Sequence, residues 1–113
     1  SLELREQLRA SLGDTPQTLR DLSVSFERLG DVERDAGNLA AARKAYRDSL
    51  KLSEQLRASL GDTPQTLRDL SVCLGKLGDA ERDAGNLAAA RKAYRDSLEL
   101  REQLRASLGD TPQ

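Results

Sequence analysis

The sequence has no histidine, a single cysteine, one phenylalanine and two tyrosines, and its charges nearly cancel. Each scarcity excludes something. Without histidine the chain lacks the commonest general base near neutral pH and a common metal ligand. With Cys73 alone it can form neither an internal disulfide nor a multi-cysteine zinc site. That usage fits a reducing compartment, and a cytoplasmic location is expected. Phe26, Tyr46 and Tyr94 are too few to build a thick central core. No run approaches the roughly 20 apolar residues that cross a bilayer. The N-terminus is charged and amphipathic, unlike a signal peptide. With 18 basic and 19 acidic residues there is no basic excess of the kind nucleic-acid binding leaves. No glycine-rich phosphate loop occurs, so no cofactor, no metal and no catalytic residue is expected.

What remains is mostly leucine, alanine and charge. Hydrophobic residues make up 37% of the chain, below the roughly 45–50% of an ordinary globular domain. Such a chain can form a thin layer in which helices lean on their neighbours. The dominant feature is repetition. Residues 8–55 and 56–103 are two copies of a 48-residue unit that differ at seven positions. These are Ser25/Cys73, Phe26/Leu74, Glu27/Gly75, Arg28/Lys76, Val32/Ala80, Lys51/Glu99 and Ser53/Arg101. The first 17 residues recur unchanged at 97–113.

Each unit reads as two helices of roughly 21 residues, each roughly 30 Å long. The first begins at Gly13-Asp14-Thr15-Pro16-Gln17. Asp14 or Thr15 can cap it, Pro16 suits its first turn, and Asp14 with Gln17 has capping-box spacing. Leu19, Leu22, Phe26 and Leu29 recur at three- and four-residue steps and mark one face, with Val24 and Val32 on a second. Ala36-Gly37-Asn38 ends this helix, with Gly37 free to turn left-handed and Asn38 placed to cap the next. Ala42, Ala45, Tyr46, Ser49, Leu52, Leu56 and Leu60 form the stripe of the second helix. Lys44 with Asp48, and Arg95 with Glu99, are one turn apart and add only a few tenths of a kcal/mol each. Asp14, Asp62 and Asp110 are too far apart to form a carboxylate pair and read as caps. Cys73, one turn from Leu70 and Leu77, reads as a buried structural thiol.

Phe26, Leu29-Gly30, Gly37, Ala42, Tyr46 and Ser49-Leu50 resemble the signature positions of a tetratricopeptide repeat. Leu74, Leu77-Gly78, Gly85, Ala90, Tyr94 and Ser97-Leu98 repeat the match. The resemblance implies an all-α fold, a right-handed α-solenoid of antiparallel helix pairs with about two and a half repeats. On that reading 1–12 is a partial second helix, 15–60 and 63–108 are two repeats, and 109–113 starts another. Two departures stand out. Glu33 and Glu81 occupy a position the family fills with an aromatic. The period is 48 against about 34 in the family, an excess of two heptads that preserves which faces point inward. The longer form looks like arrays in bacterial multidomain signalling proteins.

The resemblance also implies a function. First helices of such arrays line a concave groove for extended peptides. The matching positions are Val24, Glu27, Asp31, Arg34 and Asp35, then Val72, Gly75, Asp79, Arg82 and Asp83, with Arg20 and Arg68 added by the longer helix. The mixed signs, without the family's Lys/Asn clamp for a terminal carboxylate, make acidic chaperone tails a poor fit. The leading expectation is a non-catalytic interaction scaffold for a protein or peptide. The alternative is a structural spacer or self-assembling module, natural or engineered, without a specific ligand. The chain carries no polar capping repeat, so it is expected to be a slice of a longer array, or to self-associate through its ends. Self-association meets one obstacle, since 1–12 and 97–108 share one phase and would compete for one place.

Overall fold

A computed structural model describes residues 2–13 and 15–109, with backbone alone for 9–12. Five helices follow one another: α1 (Leu2–Leu12), α2 (Pro16–Asp35), α3 (Leu39–Leu60), α4 (Pro64–Asp83) and α5 (Leu87–Leu108). Among the described residues there is no strand. The result is a helical-repeat solenoid, a slab measuring 45 × 38 × 22 Å. Its thinness follows from the scarcity of large side chains.

The turns come from particular residues. Thr15 and Thr63 take extended backbone angles, and their hydroxyls accept from the amides of Thr18 and Thr66 at 3.2 and 3.1 Å. Proline follows each, where its missing N–H has no helical partner. Threonine, then, is the cap. Asp62 is not: its carboxylate accepts from Arg57 at 2.6 Å and from Gln103 at 2.6 Å, and Gln65 donates to Asp69 rather than closing a capping box. Asp14 and Asp110 lie outside the described residues. Gly37 and Gly85 take φ of 83° and 84°. Behind them Asn38 and Asn86 donate from their backbones to the Glu33 and Glu81 carbonyls, each at 2.8 Å, closing the helix end. Neither asparagine side chain caps the next helix.

Packing is local. α2 lies on α3 and α4 on α5, and α3 joins the two pairs by lying against α4. Leu19, Leu22, Leu52 and Leu56 form one cluster, with Leu2 and Phe26 against it. Leu67, Leu70, Leu74 and Leu100 form the next, flanked by Leu50 and Leu104. Ala42, Tyr46 and Ala80 form a third at the junction of the pairs. Alanine and glycine permit this approach. A Cβ on Gly78 would meet the Tyr94 ring at 2.7 Å, and Gly30 faces Tyr46 even more closely. Buried hydroxyls also tie the two helices of the first pair together. Ser49 donates to the Ser23 carbonyl at 2.8 Å, and Ser23 lies 2.9 and 3.0 Å from the hydroxyls of Ser49 and Ser53.

The expected faces need correcting at three positions. Leu29 and Leu60 are substantially exposed, and Val32 is 62% exposed, whereas its counterpart Ala80 is 0%. The difference is the neighbour: Ala80 meets Ala42 and Tyr46 of α3, while α1 reaches only the first part of α2.

Candidate protein-binding surface

α2 and α4 run side by side and present the residues singled out as a groove wall. Most of their charges are engaged with one another. Arg20 Nε lies 3.7 Å from Asp69. Lys76 Nζ reaches both Glu27 and Asp31 at 2.9 Å. Arg34 Nε meets Asp83 at 2.9 Å, and its Nη1 stands 3.7 Å from Asp79. Arg20, Glu27 and Arg34 are seven residues apart, about 10 Å of helix at 1.5 Å per residue. The three pairings therefore form rungs of a ladder between the two helices.

The rungs shift the groups they join. Burial opposes the charge of Lys76, but the hydrogen bonds to Asp31 and Glu27 outweigh it and raise its pKa. The hydrogen bond to Asp83 raises Arg34 further above its ordinary value. Tyr46 is raised, first by burial and then by its hydroxyl donating to Asp31 at 2.6 Å. Tyr94 donates likewise to Asp79. The wall is thus tied to the helix behind it.

The remaining wall residues differ. Val24 and Val72 are half-buried and border a hollow of about 150 Å³ together with Arg20, Ser23, Arg68 and Cys73. Gly75, where the first unit has Glu27, opens a wider hollow of about 460 Å³ bounded by Val72, Asp79, Tyr94 and Leu98. Arg82 is 3.9 Å from Asp79 and 3.8 Å from Asp83, the loosest contacts on this surface. Among the described residues, the side chains of Asp35 and Arg68 make no hydrogen bond or ion pair.

A second polar cluster was not legible beforehand. Glu81 is 4% exposed between the two helix pairs. Its carboxylate accepts from Arg43 at 3.1 Å, Arg47 at 3.2 Å and Asn86 at 3.1 Å. Burial alone would raise its pKa, yet the Asn86 and Arg43 hydrogen bonds and the Arg47 charge hold it below the usual carboxylate value. Glu81 replaces the aromatic of the resemblance with a charge that gains its two arginine partners from the preceding helix pair and Asn86 from its own. The signal was an acid at 33 and 81 with arginines at 43, 47, 91 and 95, but only a known fold makes 43 and 81 neighbours.

Reactive groups are poorly placed for chemistry. Cys73 is 2% exposed, its thiol donates to the Tyr46 carbonyl at 3.3 Å, and burial pushes it up to about 11. Among the described residues, no group of three or more acidic or cysteine side chains could hold a metal ion. No described helix is long and apolar enough to cross a membrane. The surface offers shape, two valines and unevenly spent charge. The family model for the tetratricopeptide repeat matches residues 21–103. No curated protein and no solved structure gives a significant match.

Proposed function

Because the chain belongs to the tetratricopeptide repeat family, we propose that it is a non-catalytic protein-interaction module whose α2–α4 wall receives an extended peptide. The observation that carries this reading is the arrangement Arg68, Gly75, Arg82. These positions are seven residues apart on α4 and so share one face. Gly75 opens a hollow on this face, Arg68 makes no side-chain pairing among the described residues, and Arg82 is held only by long contacts of 3.9 and 3.8 Å to Asp79 and Asp83. The arginines are separated by about 21 Å of helix. An extended peptide covers that span in about six residues. The partner segment that fits is therefore extended, with acidic residues about six positions apart and an apolar side chain between them. Val24, Val72 and the paired charges supply the rest of the wall.

The test is selection of binders from a random peptide library, followed by fluorescence polarisation of the recovered sequences. Arg68→Ala and Arg82→Ala are each expected to weaken binding about tenfold, the worth of one charge-assisted hydrogen bond. Lys92→Ala, on an exposed face of α5, should leave it unchanged. Recovered peptides that bind the double arginine variant as well as the parent would refute the reading. A spacer without a ligand is the second reading. The consumption of wall charges by the ladder favours it, and a library that yields no sequence above background would support it.

A further inference from the structure

The two ends of the slab carry matching halves of one joint. On α2, Leu2 of α1 packs against the Leu19–Leu22–Leu52–Leu56 cluster, and Arg5 donates to the Asp21 carbonyl at 3.0 Å. On α4 the same place is filled by α3, through Leu50. Leu2 and Leu50 are equivalent positions of the repeat, 48 residues apart. The third equivalent, Leu98 on α5, is 56% exposed. α1 therefore stands in for the second half of a preceding α3-like helix, and α5 displays the face that α3 uses.

What α2 lacks, α5 offers. Ala80 is closed in by Ala42 and Tyr46, and Glu81 is held by Arg43 and Arg47. The counterparts Val32 and Glu33 on α2 have no such cover, Val32 being 62% exposed. The counterparts of that cover are Ala90, Tyr94, Arg91 and Arg95 on α5, where both arginines are exposed and, among the described residues, make no side-chain ion pair. Charge is complementary along the wall as well. Arg82 is to Asp31 and Asp35 of another copy what Arg34 is to Asp79 and Asp83.

We infer that α2–α3 of a second copy docks on the α4–α5 face head to tail, with residues 97–108 displacing that copy's own α1. The displacement is required because 97–108 and 1–12 have one sequence and one place on α2. α1 is thus a tethered competitor. Its tether gives it an effective concentration of about millimolar, which holds the joint closed in dilute solution. The incoming α5 is longer than α1 and adds its first half, including the arginine pair for Glu33. The association is heterologous, so it does not close at two copies. Val32 enters where the chain's own joint has Ala80, and the two extra methyl groups make this joint weaker than the internal one. The inference does not depend on the peptide reading, although both occupants would use Arg82 and so compete.

The experiment is sedimentation velocity on the 113-residue chain across a wide concentration range, with no peptide present. The mean mass should rise from 12.4 kDa and pass twice that value without a plateau. The same substitution at two equivalent positions should act in opposite directions. Leu98→Lys, on an exposed side chain, should weaken association at least about tenfold. Leu2→Lys should strengthen it by about the same factor, because it loosens the competitor. Val32→Ala should strengthen it too. A chain that stays monomeric throughout would overturn the inference, as would a plateau at the dimer. Weakening by Leu2→Lys as strong as by Leu98→Lys would also overturn it, since α1 would then belong to the joint.

Discussion

Three glycines on the first helices make a graded test of the packing. Gly30 and Gly78 are equivalent positions, each facing a tyrosine ring, and Gly75 lies one turn before Gly78. In an open helix, alanine in place of glycine gains about 1 kcal/mol. At Gly75 nothing opposes that gain, since a Cβ would come no nearer than 4.0 Å to Ser97 Oγ. At Gly78 a Cβ would meet the Tyr94 ring at 2.7 Å, but Tyr94 is only half-buried, so the ring can yield outward. At Gly30 the opposing ring is Tyr46, which is 0% exposed and enclosed by Ala42 and Ala80. A ring with no free side cannot move, and overpacking of this kind costs about 1–3 kcal/mol. The upper end applies at Gly30. Gly75→Ala should therefore stabilise by about 1 kcal/mol, Gly78→Ala should be near neutral, and Gly30→Ala should destabilise by about 2 kcal/mol. For a chain of this size these are melting shifts of about +4, 0 and −8 °C, read by circular dichroism. Equal effects of Gly30→Ala and Gly78→Ala would refute the argument that α4 locks Tyr46. A loss of stability in Gly75→Ala would refute the separate claim that nothing opposes a Cβ there.

Glu81 supplies a pH dependence. Its folded pKa is depressed, so its contribution is full above the ordinary glutamate value and is lost as pH falls through the folded one. Acid titration of the melting temperature should show this loss, and Glu81→Gln should remove it at a cost near neutral pH of about 1–2 kcal/mol. With its pKa pushed to about 11, Cys73 should react with a thiol reagent about 100-fold more slowly than in the unfolded chain; equal rates in buffer and in denaturant would contradict its burial. Arg34→Ala should destabilise by about 1 kcal/mol at low ionic strength. That difference should shrink by more than half near 1 M salt, where charges are screened beyond about 3 Å, and a salt-independent difference would show that packing rather than charge is lost.

The helices were legible because their signals are local. Thr-Pro before a leucine series and Gly-Asn after it mark the ends within a few residues, and the stripe from Ala42 to Leu56 is buried as its spacing implies. Side-chain environment is not local, and there the reading ran out. Val32 and Ala80 occupy one position of the repeat, yet one is open and the other closed, because only Ala80 has a complete neighbour. Glu33 and Glu81 are the same letter in contexts that differ nearby only at Val32/Ala80 and 25–28/73–76, and only the second is clamped. The wall positions were recognisable from the family, but not that Arg20, Glu27, Asp31 and Arg34 would be answered by Asp69, Lys76, Asp79 and Asp83. Those partners are 45 or 49 residues away in the chain, beyond any window that periodicity can scan.

The ladder also bears on how such a gene can change. Each unit carries a half of every rung toward the unit after it and a half toward the unit before, with the arginine donors of the outer rungs pointing forward and the lysine donor of the middle rung pointing back. A duplication or deletion of 48 codons therefore rejoins matching edges wherever the break falls in the unit, and copy number can drift with little structural penalty. Glu27/Gly75 is the exception. A lysine arriving on the second unit would find Asp79 alone, where Lys76 finds two carboxylates. The units are thus interchangeable in shape but not in order, and a shuffled array would keep its fold while redistributing the strength of its joints.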